Sequence, residues 1–124
     1  MSEILYKEES FKIIGLCMEI HKQLGSGLKE MNYKDALEFE LKANNFLYER
    51  EKRFAVKYKE QVLPHPYIVD FIVMNKIILE IKSAVCIADV HLSQTLRYIK
   101  VANVHLGMVI NFGEKSLTWK WLIF

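Results

Sequence analysis

The sequence predicts one α/β domain over residues 1–124, a sheet flanked by helices, in the order helix, helix, three strands, helix, strand, strand. Three observations carry that reading. Apolar residues recur at helical spacing around residues 13–24, 33–41 and 92–99. Between the second and third of these stretches lie two dense apolar runs, Tyr67–Met74 and Ile77–Ile81, split by Asn75-Lys76 as a hairpin would be. A hydrophobic fraction of 52% over 124 residues suffices for one core and leaves no length for a second.

Taken in order, Ile13, Cys17, Ile20 and Leu24 align on one face of a first helix, Ser10–Leu24. Gly25-Ser26-Gly27 ends it, because glycine takes the left-handed conformation that helix C-termini favour. A second helix runs from Leu28 to about Ala43 and stops at Asn44-Asn45. Phe46–Tyr58 reads as one strand with a charged first half, and Lys59-Glu60-Gln61 begins a turn. Pro64 and Pro66 keep the next segment out of a central ladder. After the hairpin, Asp89 is placed to cap a third helix carrying Leu92, Leu96 and Ile99 and ending near Asn103. A strand at His105–Asn111, a turn at Phe112–Lys115 and a sheet-edge segment at Leu117–Phe124 complete the chain.

Composition narrows the function. The formal charge is +2, too weak by itself to argue for a phosphate-neutralising surface. Arg50, Lys52, Arg53, Lys57 and Lys59 are partly clustered, either along a rim or on a solvated strand face. Cys17 and Cys86 both sit in apolar company with no metal-ligand spacing and are expected as buried free thiols. The segment from Met1 to Glu9 lacks the apolar core of a signal peptide and no apolar run is long enough to span a bilayer, so a soluble cytoplasmic protein is expected. A phosphate-binding loop with its Lys-Ser/Thr ending, a nucleophile elbow and a paired His-Cys zinc motif are all lacking in the sequence. Gly25-Ser26-Gly27 before a helix is too short a match to mark an anion site.

The chemistry concentrates in the hairpin. Asp70 interrupts an otherwise apolar and aromatic run, and burying an unpaired carboxylate costs several kcal/mol. Glu80 and Lys82 lie two apart, hence on one side of the second strand, and Asp70 and Glu80 are equally far from the turn at Asn75. Two carboxylates so close need a shared proton, a basic neighbour or a divalent cation. Lys82 is the basic neighbour the sequence offers, and Mg2+ suits an oxygen site with one or two carboxylates, with the Ile81 carbonyl as a further donor. The same residues also fit outward-facing surface ion pairs, which contribute little.

Glu30 shares a helical stripe with Tyr33, Leu37 and Leu41. A carboxylate there reaches the end of the hairpin, or, with Gly27 as the N-cap residue, serves the helix terminus instead. His91, Gln94 and Tyr98 form a polar stripe on the third helix, suited to contacting substrate and equally to a solvated face. His21 is expected as a packed or capping histidine.

Gly27-Leu-Lys-Glu30-Met-Asn-Tyr33, preceded by Leu24-Gly25-Ser26 and followed in order by Asp70, Glu80-Ile81-Lys82, Gln94 with Tyr98, and Ile110-Asn111-Phe112-Gly113, resembles the GxxExxY proteins of the PD-(D/E)xK nuclease superfamily. Val69 stands where the superfamily's name has proline. The resemblance implies a restriction-endonuclease-like core, a mixed four- to five-stranded sheet between helices. It implies metal binding by Asp70 and Glu80 with support from Glu30, water activation or charge stabilisation by Lys82, and substrate contact by Gln94 and Tyr98. The expected activity is Mg2+- or Mn2+-dependent phosphodiester hydrolysis, on DNA. Its rival is a non-catalytic nucleic-acid-binding or assembly module that keeps the fold. Cutting both strands of a duplex from so small a domain favours a homodimer, for which the apolar Leu117–Phe124 end offers an interface or else simply a last core strand.

Overall fold

The structure is a computed structural model that describes residues 6–124, so the first five residues of the Met1–Glu9 segment read as lacking a signal peptide lie outside the described residues. Its elements are α1 (Lys7–Leu24), α2 (Glu30–Ala43), β1 (Tyr48–Phe54), β2 (Lys57–Tyr58), β3 (Gln61–Val62), β4 (Tyr67–Val73), β5 (Ile77–Lys82), α3 (Asp89–Ala102), β6 (Leu106–Asn111) and β7 (Thr118–Ile123).

The main sheet has five strands in the order β1-β4-β5-β6-β7. Every adjacent pair is antiparallel except β5–β6, which is parallel and therefore needs the crossover that α3 supplies. One sheet face carries α1 and α2 over a core that joins Ile13, Cys17, Tyr33 and Leu37 to Phe71, Leu79, Ile81 and Met108. The other face carries α3, where Ile99 closes a smaller cluster over Val69, Ile72 and Ile78. Both faces of β5 are thus covered, which is why Ile77–Ile81 reads as a nearly continuous apolar run. The mixed sheet between helices is the predicted architecture.

Several local expectations are corrected. The first helix begins at Lys7, not Ser10. The second begins at Glu30, with Lys29 rather than Gly27 as its N-cap residue, because Tyr33 takes over the connecting turn: its hydroxyl accepts from the Leu28 N–H at 3.2 Å and donates to the Gly25 carbonyl at 2.6 Å. The long strand Phe46–Tyr58 divides. β1 ends at Phe54, and β2 pairs with β3 as a separate two-stranded ribbon about Lys59, whose φ is 56°. The third helix starts after Ala88, not Asp89, and His91 caps it by accepting the Ala88 N–H on Nδ1 at 3.0 Å. Cys17 is buried as expected, but Cys86 is exposed, on the loop between β5 and α3.

Among the described residues no helix is long and apolar enough to cross a membrane. β7 is the sheet-edge strand foreseen for the C-terminal segment, with Trp119 and Trp121 packed on the α1/α2 core and Ile123 and Phe124 exposed.

Candidate active site

The hairpin register pairs Phe71 with Leu79 and Ile72 with Ile78, and one further step sets Asp70 opposite Glu80. At that step the ladder stops, and the two side chains replace it. The Asp70 N–H donates to Glu80 Oε2 at 2.7 Å, and the Ile81 N–H donates to Asp70 Oδ2 at 2.7 Å. The carboxylates therefore fill the gap where β4 and β5 separate. Asp70 is 9% and Glu80 3% exposed, which excludes the surface ion-pair reading.

Burial first, and the adjacent Asp70 charge second, push the Glu80 carboxyl up to about 8. The basic neighbour that answers Asp70 is not Lys82. It is Lys34, on α2, 6% exposed, whose Nζ lies 3.0 Å from Asp70 Oδ1 and 2.5 Å from Glu51 Oε1. Burial opposes the Lys34 charge, yet the hydrogen bonds to Glu51 and Asp70 outweigh it and hold the ammonium above the ordinary lysine pKa. Lys82 is half-buried, lies two residues from Glu80 on β5, and has no ion pair within 4.0 Å among the described residues.

Glu51 reaches Lys34 through an unusual backbone. Successive strand residues normally point to opposite faces, yet Arg50 and Glu51 both turn to α2: Arg50 pairs with Asp35 at 2.8 Å and Glu38 at 3.0 Å, and Glu51 with Lys34. The left-handed φ of 54° at Glu51 makes this possible without an inserted residue, since Arg50–Phe71 and Lys52–Val69 remain in one register. Across the ladder the alternation also resets at Asp70, for Phe71 packs under α1 and α2 whereas Val69 packs under α3.

The neighbouring loops are pinned from β6. Asn111, fully buried, accepts the N–H of Ala84 and donates to its carbonyl, and Phe112 N–H donates to the Lys82 carbonyl at 2.8 Å. A Cβ on Gly113 would overlap the Ala84 backbone, so only glycine fits there. At the α2 end, Ser83 Oγ donates to the Leu28 carbonyl at 2.8 Å, which brings the start of α2 beside the end of β5.

The other predicted residues distribute as follows. Glu30 is half-buried, at the first position of α2 and one turn before Lys34. Tyr98 on α3 stacks obliquely on Tyr67 at 5.2 Å, and its hydroxyl pKa is raised by burial and then by the Glu80 and Asp70 charges. Gln94 is half-buried one turn earlier on α3. His91 is a capping group, and His21 stacks on Phe112 and bonds the Glu114 carbonyl at 2.9 Å, as a packed histidine.

A family model described as the PD-(D/E)XK nuclease superfamily matches residues 7–121. The chain belongs to that superfamily. Among solved structures, "Crystal structure of SSO0001" is similar with a TM-score of 0.58 and 18% identity, over 95% of this chain. The match spans 57% of that chain's length, and at this identity it shows the fold alone. No curated protein matches.

The acid pair sits where two adjacent strands part. The donor set suits a hard cation: carboxylate oxygens, plus the Ile81 carbonyl, which leaves the strand on the same edge as the Ile81 N–H and so points at the Asp70 gap. Glu80 Oε1 accepts no hydrogen bond from a described residue. The Lys34 ammonium already stands against Asp70 as a cation would. Among the described residues no three His, Cys, Asp or Glu side chains gather to hold a metal, so Asp70 and Glu80 stand as a pair. Lys34 and Glu51 were not foreseen. The only signal was that Lys34 follows Glu30 by four and so shares its face of α2.

Proposed function

We propose that this chain is a Mg2+- or Mn2+-dependent nuclease that hydrolyses phosphodiester bonds, on DNA, as a GxxExxY-type member of its superfamily. The observation that carries this reading is the buried pair Asp70–Glu80, interlocked through backbone N–H groups, with Lys82 two residues beyond on the same strand. Asp70, Glu80 Oε1 and the Ile81 carbonyl would hold the cation, with Glu30 supporting it through its waters. When bound, the cation supplies a lowered water pKa and Lewis-acid stabilisation of the phosphate. Lys82, unpaired among the described residues, is free to orient the attacking water or to neutralise charge developing on the phosphate. Tyr98 and Gln94 line the α3 side for substrate contact. A cytoplasmic location and a homodimer joined through Leu117–Phe124 complete the reading.

Cleavage of a panel of single- and double-stranded DNA and RNA with Mg2+ and Mn2+ tests it. Asp70→Asn should abolish metal-dependent cleavage and Lys82→Ala should lower it by about 100-fold or more. Unchanged cleavage in both variants would remove the assignment. One observation favours a second reading, a non-catalytic nucleic-acid-binding or assembly module: Lys34 already neutralises Asp70. Nucleic-acid binding without cleavage, insensitive to Mg2+, would select it.

A further inference from the structure

We infer that Lys34 is the site's own counter-cation, bound to Asp70 in the metal-free state and handed to Glu51 when a divalent cation enters. The inference rests on the metal-dependent reading and adds what regulates entry to the site.

Asp70 has two oxygens and both are engaged. Oδ2 accepts the Ile81 N–H, a bond that belongs to the parting of β4 and β5, so Oδ1 is the oxygen left to face a metal. Lys34 Nζ occupies Oδ1 at 3.0 Å. A divalent cation and the ammonium therefore compete for one atom, and two cations cannot share it without strong repulsion in a site this buried.

The displaced ammonium has a destination. Glu51 Oε1 already holds Nζ at 2.5 Å, and the Glu51 side chain is 46% exposed, so the pair survives with its outer partner in contact with water. Lys34 itself is too deeply placed to be left without a partner. The left-handed backbone at Glu51 gains its purpose here. In an ordinary strand conformation Glu51 would point away from the face that Arg50 occupies, and Lys34 would have Asp70 as its only anion. Lys82 cannot take this role, since it makes no ion pair with either carboxylate.

Lys34→Met keeps most of the stem and removes the charge, whereas Glu51→Gln removes the receiving carboxylate. Calorimetric titration of Mn2+ into the folded wild-type chain and each variant reads the competition directly, without reference to catalysis. The account expects Lys34→Met to bind Mn2+ about tenfold or more tightly than wild type, and Glu51→Gln to bind it about threefold or more weakly. If wild type binds Mn2+ in an Asp70-dependent way and neither variant shifts the affinity, the Lys34 inference is overturned while the metal site stands. Binding by Lys34→Met alone would show that Lys34 excludes the cation instead of yielding to it, and overturns both the handover and the metal-dependent reading of the native chain. No binding by any of the three overturns both. Should Lys34→Met fail to fold, Glu51→Gln decides, and unchanged affinity in it overturns the inference.

Discussion

Raising the pH of the metal-free protein should destabilise it through Glu80. An unperturbed glutamate titrates near 4.5, and in the folded chain burial and the Asp70 charge push Glu80 up to about 8. A folded-state pKa above the unfolded one means that the folded chain holds the proton more tightly. The resulting stability is complete below about 4.5 and is lost as pH rises towards about 8. Inside that window one such group changes the unfolding free energy by up to about 1.4 kcal/mol per pH unit. Between pH 6.0 and 7.5 the ceiling is therefore about 2 kcal/mol. With urea m-values of about 1–3 kcal/mol/M, this is a midpoint shift on the order of 1 M. The assay is urea unfolding in EDTA at several pH values for wild type and Glu80→Gln. Lowered carboxyl pKa values at Glu9, Glu38 and Glu114 act in both proteins and cancel in the difference. Wild type should lose stability relative to Glu80→Gln as pH rises, and Mn2+ should reverse the loss with release of a proton. Parallel stability curves for the two proteins from pH 5 to 8 would refute the reasoning.

Three further outcomes follow from single contacts. Gly113→Ala should cost about 1–3 kcal/mol or more by urea unfolding, because its methyl has only Ala84 backbone to displace; a neutral effect would show that the loop yields freely. Tyr33→Phe keeps the stack on Phe112 but removes both hydroxyl bonds of the α1–α2 turn, for an expected loss of about 1–2 kcal/mol by the same measurement. Thiol titration of the native protein should show one fast group, Cys86, and one that reacts only on unfolding, Cys17, whose pKa burial raises strongly; two fast groups would contradict the packing of α1.

The hairpin and its acids were legible because a charge inside an apolar run stands out whatever the tertiary structure, and equal distance from Asn75 fixes which two residues meet. Helix positions were legible from spacing, whereas their ends were not. The start of α2 depends on Tyr33 reaching back to Gly25, eight residues earlier, and the start of α3 on a histidine acting as cap. Lys34 was the largest omission. A lysine on a helix reads as solvated, and its burial depends on Asp70 and Glu51, neither of which is a neighbour in sequence. Glu51 carries no local sign of its left-handed backbone, since that conformation is disfavoured for glutamate and is tolerated for the ion pair it permits. Asp70 and Glu80 pose a problem of charge compensation that is visible in the sequence, but the compensating base comes from α2 rather than from β5.

The proposed function requires Asp70 and Glu80 together to hold a divalent cation. A crystal soaked in Mn2+, with anomalous diffraction recorded at the manganese edge, tests this most directly. One ion should touch Asp70 Oδ1 and Glu80 Oε1, with Lys34 Nζ withdrawn to Glu51. Clean maps with Lys34 still on Asp70 and no anomalous peak between the carboxylates would contradict it.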